Sequence, residues 1–118
     1  MVSSRNISAH IERLDTIVQI KSANSILYCK KWEETVALYQ TGLRLPITVS
    51  TEWFVEFKLT GTSRLSVADE SHTSIKSGSG KGITIGLHVV DIVTTHSQLK
   101  EAELNPTAIK EVWGAQGF

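Results

Sequence analysis

Apolar and polar residues alternate along residues 53–59. Trp53, Val55, Phe57 and Leu59 fall on one face and Phe54, Glu56 and Lys58 on the other, the period-two pattern of a half-buried strand. Residues 64–69 alternate in the same way, with Leu65 and Val67 against Arg64 and Ser66, and residues 47–50 form a third β-rich run. Ser-Thr-Glu and Thr-Gly-Thr-Ser turns separate the three, so they read as a meander. Upstream, residues 25–29 form a short apolar strand after a turn at residues 22–25. Residues 32–41 then carry Trp32, Val36, Leu38 and Tyr39 at a 3.6-residue period, which predicts a helix. Gly42 is the expected stop and Pro46 blocks continuation. The first half therefore has βαβββ order.

Residues 71–82 hold Ser-Gly-Ser-Gly-Lys-Gly and few apolar side chains, as in a flexible linker. Beyond it, a β-branched run at residues 83–91 predicts a strand, residues 92–104 a helix ended by Asn105-Pro106, and residues 107–112 a further extended segment. Shifting the chain by 60 positions superimposes Leu27 on Leu87, Thr35 on Thr95, Pro46 on Pro106 and Trp53 on Trp113, an internal repeat in element order as well as identity. The counterpart of the 64–69 strand would lie past Phe118. The second module is therefore expected to be incomplete at its C-terminus, its sheet edge left short of a strand or covered by the N-terminal extension or a partner chain. That extension, residues 1–22, places Ile11, Leu14, Ile17 and Val18 at helical spacing, which predicts a helix over residues 8–20, although the β-branched run at residues 16–20 would also suit a strand.

Composition narrows the function classes. The chain has 118 residues, 41% hydrophobic and 20% charged, enough for one domain with its own core, read as residues 23–118. Twelve basic residues balance twelve acidic ones, which argues against nucleic acid and a polybasic membrane contact. No run approaches the roughly 20 apolar residues of a membrane span, and Met1-Val2-Ser3-Ser4-Arg5 lacks the apolar core of a signal peptide. Cys29 stands alone, so no disulfide framework points to secretion, and a cytoplasmic protein is expected.

Residues 26–39 (Ile-Leu-Tyr-Cys-Lys-Lys-Trp-Glu-Glu-Thr-Val-Ala-Leu-Tyr) followed by Gly42-Leu43 form a strand–helix opening. With Trp53-Phe54-Val55-Glu56-Phe57, residues 64–70, Leu87-His88-Val89-Val90-Asp91-Ile92 and Val112-Trp113-Gly114-Ala115, this pattern resembles the vicinal oxygen chelate superfamily of glyoxalases, bleomycin-resistance proteins and extradiol dioxygenases. The resemblance covers roughly residues 24–118 and implies an α+β fold. Two βαβββ modules, residues 24–70 and 83–118 with the second truncated, would form a cup-shaped, mostly antiparallel sheet around a small-molecule site, often in a homodimer. Its enzymes place a divalent metal in the cup. Here the ligand positions that open the two modules fall on Asn24 and Thr84, neither a strong metal ligand, and the last family Glu has no counterpart. His88 and Glu70, or Glu56 in another register, are what remains to hold a metal. The resemblance thus favours a protein that sequesters a small molecule. A metal-dependent lyase, isomerase or dioxygenase completed by a dimer partner is the alternative, and a non-catalytic interaction protein a third reading.

Strand parity selects the candidate binding residues. If Asn24 faces the cup, so do Ile26 and Tyr28, and in the second module Thr84, Gly86 and His88. Tyr28 offers a hydroxyl or a packed ring, and His88 a neutral imidazole that suits proton transfer, ligation or polar binding, or else simply faces solvent. Glu56 and Arg64 could reach a ligand, or be surface charges paired with each other. Trp53 and Trp113 could flank a flat ligand or anchor a core. No Walker loop is formed around Gly78–Gly82, where Ile75 and Gly82 replace the required Gly and Ser or Thr.

Overall fold

The computed structural model describes residues 2–4 and 17–118, the first three by backbone alone. The chain divides into two compact units, Thr16–Gly82 and Met1–Asp15 with Ile83–Phe118. Each has its own four-stranded mixed sheet and one α-helix, so the fold class is α+β.

In the Thr16–Gly82 unit the elements are β2 (Ala23–Cys29), α1 (Trp32–Ala37), β3 (Ile47–Ser50), β4 (Phe54–Lys58) and β5 (Ser63–Asp69). The strand order is β2-β5-β4-β3, with β2 parallel to β5 and the other pairs antiparallel. A parallel pair needs a crossover, and α1 with the following hairpin supplies it. The three meander strands form where alternation predicts them. β2 begins earlier than expected: Ala23 to Ser25 belong to the ladder with β5 and not to a turn, because Ser63, Arg64 and Leu65 provide partners that local turn propensity does not reveal.

Strand parity fixes the core. Val55, Phe57 and Val67 are buried on the helix-facing side, and Leu27, Cys29, Trp32, Val36, Tyr39 and Leu45 pack against them. Phe57 is fully buried, with the Tyr39 ring centroid 5.7 Å away at 48°. Burying a side chain of this size stabilises by about 1.5–3 kcal/mol. The predicted helix is shorter than its period suggests: after Ala37 the chain widens into a π-helical turn, Leu38–Gly42, with the Leu43 amide bonded to the Leu38 carbonyl at 2.9 Å. Its left-handed terminus is Arg44, φ 56°, two residues beyond the expected Gly42. Residues 71–82 carry no strand. They open inside a 3₁₀ turn, Glu70–His72, and the Lys76 ammonium donates to the Glu70 and Thr73 carbonyls at 2.7 and 2.8 Å.

The other unit comprises β1 (Val2–Ser4), β6 (Leu87–His88), α2 (Ile92–Glu101), β7 (Lys110–Val112) and β8 (Ala115–Gly117), in sheet order β6-β1-β8-β7. β1 runs parallel to β6 and antiparallel to β8, and β8 antiparallel to β7. The sense of pairing along this sheet repeats that of β2-β5-β4-β3. β1 stands where β5 stands in the first sheet, although it comes from the opposite end of the chain. The long strand expected over residues 83–91 reduces to Leu87 and His88, the two residues that pair with Val2 and Ser3 of β1. α2 starts at the Asp91 cap, whose carboxylate accepts from the Thr94 amide at 3.1 Å, and stops at Glu101, three residues short of the expected end. The extended segment expected over residues 107–112 is likewise a ladder only from Lys110. Most of the N-terminal helix expected over residues 8–20 lies outside the described residues. Its described end, residues 17–20, carries no helix and leaves Ile17, Val18 and Ile20 exposed. Among the described residues no helix is long and apolar enough to cross a membrane.

Candidate functional site

The sheet face opposite α1 in the Thr16–Gly82 unit gathers the polar chemistry. Register places Ile26, Ser66, Glu56 and Val49 in one row across β2, β5, β4 and β3. A second row holds Asn24, Arg64 and Lys58, and a third Tyr28, Ala68 and Phe54. A hydrogen-bonded chain crosses these rows. Thr48 Oγ1 donates to Glu56 Oε2 at 2.6 Å, Asn24 Nδ2 donates to Glu56 Oε1 at 3.3 Å, and Ser66 Oγ donates to Asn24 Oδ1 at 2.8 Å. A carboxylate only accepts, so it fixes the Asn24 amide with its NH2 toward Glu56, which turns Oδ1 to Ser66. Ser66 is fully buried, Glu56 half-buried and Asn24 exposed, so the chain runs from solvent into the sheet. Thr48 reaches Glu56 because the β3–β4 register shifts between Ile47 and Val49.

The candidate residues separate on this frame. Tyr28 and Glu56 occupy adjacent rows of the same face, with Tyr28 half-buried. Arg64 shares the face but is not the partner of Glu56. Its guanidinium donates to the carbonyls of Thr60 and Ser63 at 2.7 and 3.1 Å, tying down the β4–β5 turn. Trp53 lies in the turn before β4, with its ring stacked on that of His72 at 6.3 Å and 10°. Trp113 forms the tip of the β7–β8 hairpin, 73% exposed, where it and Gly114 both have positive φ, as a two-residue primed turn requires. Thus both repeat-related tryptophans mark hairpin turns. His88 is exposed on β6, opposite Ser3 of β1. Glu70 sits in the 3₁₀ turn after β5, where its Oε1 is buried with no hydrogen-bond partner among the described residues.

Of the residues considered for a metal, His88 belongs to one unit and Glu70 and its alternative Glu56 to the other. Among the described residues no group of three or more His, Cys, Asp or Glu side chains could hold a metal ion. A separate cleft of about 310 Å³ lies at the start of α1, lined by Lys30, Lys31, Trp32, Glu33, Glu34 and Asp69. Asp69 is held below the usual carboxylate range, first by the Ser71 amide and then by its hydroxyl, at 3.0 and 2.8 Å. It serves the turn that follows β5.

Thr48 and Ser66 were not singled out from sequence. Ser66 could have been, since alternation in β5 puts it on the face of Arg64, whereas Thr48 reaches Glu56 only through an irregular register that no period encodes. Comparison with protein-family models, with curated proteins and with solved structures finds no match.

Proposed function

We propose that this chain is a small-molecule-binding protein of the glyoxalase and bleomycin-resistance type, which takes up its ligand on the sheet face around Tyr28 and Glu56 without an intrinsic metal centre. The observation that carries the reading is the Thr48–Glu56–Asn24–Ser66 chain, a carboxylate oriented by neutral donors on a face bordered by Tyr28 and Phe54. Small-molecule sites have this make-up: apolar and aromatic walls with a few placed polar groups.

The strand arrangement supports the same reading. The order β2-β5-β4-β3 with its one parallel pair is what a βαβββ module demands, and β6-β1-β8-β7 repeats its sense. The first helical residues, Trp32 and Ile92, are related by the same 60-position shift as the sequence repeat. In this reading the two units are the paired βαβββ modules, β1 serves as the fourth strand of the second module, and a homodimer is the working assembly.

Native mass spectrometry of the purified chain, followed by thermal-shift screening of small aromatic and polar compounds, tests the proposal. Expected are compounds whose stabilisation is lost in both Tyr28→Ala and Glu56→Gln. A stoichiometric divalent ion would replace it with the metal-dependent enzyme. Stabilisation by no compound, or only by compounds indifferent to both substitutions, would remove the binding role from this face.

A further inference from the structure

We infer that the sheet face around Glu56 selects a small organic cation, an ammonium or amidinium group attached to a planar apolar body; this rests on the binding role proposed for that face. The argument begins with charge. Glu56 accepts from two neutral donors, Thr48 Oγ1 and Asn24 Nδ2, and among the described residues no Lys, Arg or His side chain bonds to it. Arg64, the nearest guanidinium by register, is committed to the Thr60 and Ser63 carbonyls. The carboxylate therefore has no cationic hydrogen-bond partner among the described residues and keeps spare lone pairs, which a cation with N–H donors satisfies with charge-assisted hydrogen bonds.

The same geometry disfavours a metal ion in that place. With its NH2 toward Glu56 and its carbonyl oxygen bonded by Ser66, Asn24 presents a donor and not a lone pair beside the carboxylate. An ion would have to reverse the amide and break the Ser66 bond. An ammonium or amidinium bonds to the carboxylate and leaves the chain of hydrogen bonds intact.

The apolar part follows from register. Tyr28 and Phe54 both pair with Ala68, from opposite sides, so their strands lie about 9.5 Å apart. Rings rooted on strands that far apart leave room to border a planar group, and the small Ala68 between them is already buried, so the ligand rests against the rings and not on the strand. Glu56 lies two residues from Phe54 on the same face, about 7 Å along the strand. A cationic group one or two bonds from the ring spans that distance with the carboxylate reaching toward it. Lys58 and Arg64 lie on the far side of the Glu56 row, so the cation enters from the aromatic side.

The test uses the full chain, ¹⁵N-labelled, titrated with three probes of one skeleton: phenylethylammonium, phenylacetamide and phenylacetate. Expected are saturable shifts of the residue 24, 28, 56 and 66 amides with phenylethylammonium, at least about tenfold weaker with phenylacetamide, and a similar loss in Glu56→Gln. Circular dichroism of that variant establishes that it folds. Equal binding of phenylacetamide or phenylacetate, unchanged by Glu56→Gln, overturns the cation preference and leaves the binding role standing. No shift with any probe overturns both. Saturable Mn²⁺ broadening centred on the same amides overturns it in favour of an ion.

Discussion

The indole N–H of Trp32 donates to the main-chain carbonyl of Val67 at 2.9 Å, joining the first residue of α1 to the middle of β5. The bond links the crossover to the strand it must reach, since β2 and β5 are parallel and α1 lies between them in the chain. Trp32→Phe keeps an aromatic body and deletes the donor, and should cost about 1 kcal/mol. Trp32→Ala also removes packing against Val55, Phe57 and Val67 and should cost about 3–5 kcal/mol. Urea denaturation of both variants measures the two terms. No loss in Trp32→Phe would mean that the hydrogen bond contributes nothing beyond the ring, and equal losses in the two variants that the ring contributes nothing beyond the bond.

The first sheet was largely legible because its signals are local. Alternation at Val55, Phe57, Leu65 and Val67 sets both strand identity and inward face, and the same parity sends Leu27 and Cys29 to the helix side, as found. The second sheet was less legible because its decisive contact is not local. Val2 pairs with Leu87 and Ser3 with Gly117, and a three-residue strand carries no period from which such pairing could be read. The β-branched run at residues 83–91 suits a long strand intrinsically, yet only Leu87 and His88 find a partner strand. At the candidate site, Tyr28 and Glu56 were visible by parity. The donors that orient Glu56 were not, since they depend on cross-strand register and on the irregularity at Thr48.

Acid sensitivity should follow two turn-forming carboxylates. Asp91 is held below the ordinary 3.8, chiefly by the Thr94 amide, and Asp69 likewise, chiefly by the Ser71 amide. A folded-state value below the unfolded one means that this stabilisation is present above 3.8 and disappears as pH falls through the depressed values. Melting temperature should therefore decline below pH 4, and less steeply in Asp91→Asn, which keeps a capping acceptor without the titration. Parallel pH profiles for wild type and variant would dissociate the Asp91 cap from acid lability.

Cys29 should resist alkylation in the folded chain. Burial pushes its thiol above the ordinary 9.0, Asp69 adds to the rise, and a hydrogen bond with Thr35 opposes it. The protonated thiol is a poor nucleophile, and its side chain packs against the Val55, Phe57 and Val67 cluster. Iodoacetamide at pH 8 should modify Cys29 slowly, with the rate rising through the urea transition. The linked stability is complete below 9.0 and declines as pH rises through the elevated folded value. Native-state labelling as fast as that of a free cysteine would contradict the burial argument.

β1 should be the fastening element of its unit. β6 has no strand partner other than β1 among the described residues, and β1 is bonded on its other side to β8, so three short segments form one sheet only through Val2–Ser4. A strand with ladders on both sides does not accommodate proline, which lacks the N–H that the ladder uses. Ser3→Pro should therefore leave a carbonyl partner unbonded at a cost of about 1–3 kcal/mol. Amide exchange should accelerate at Leu87, His88 and residues 115–117, while the β4–β5 ladder around Val55 and Val67 keeps its protection, because its partners all lie within Thr16–Gly82. Unchanged exchange at His88 and Gly117 would mean that β1 does not hold the sheet together. Loss of protection at Val67 as well would mean that the two units unfold as one.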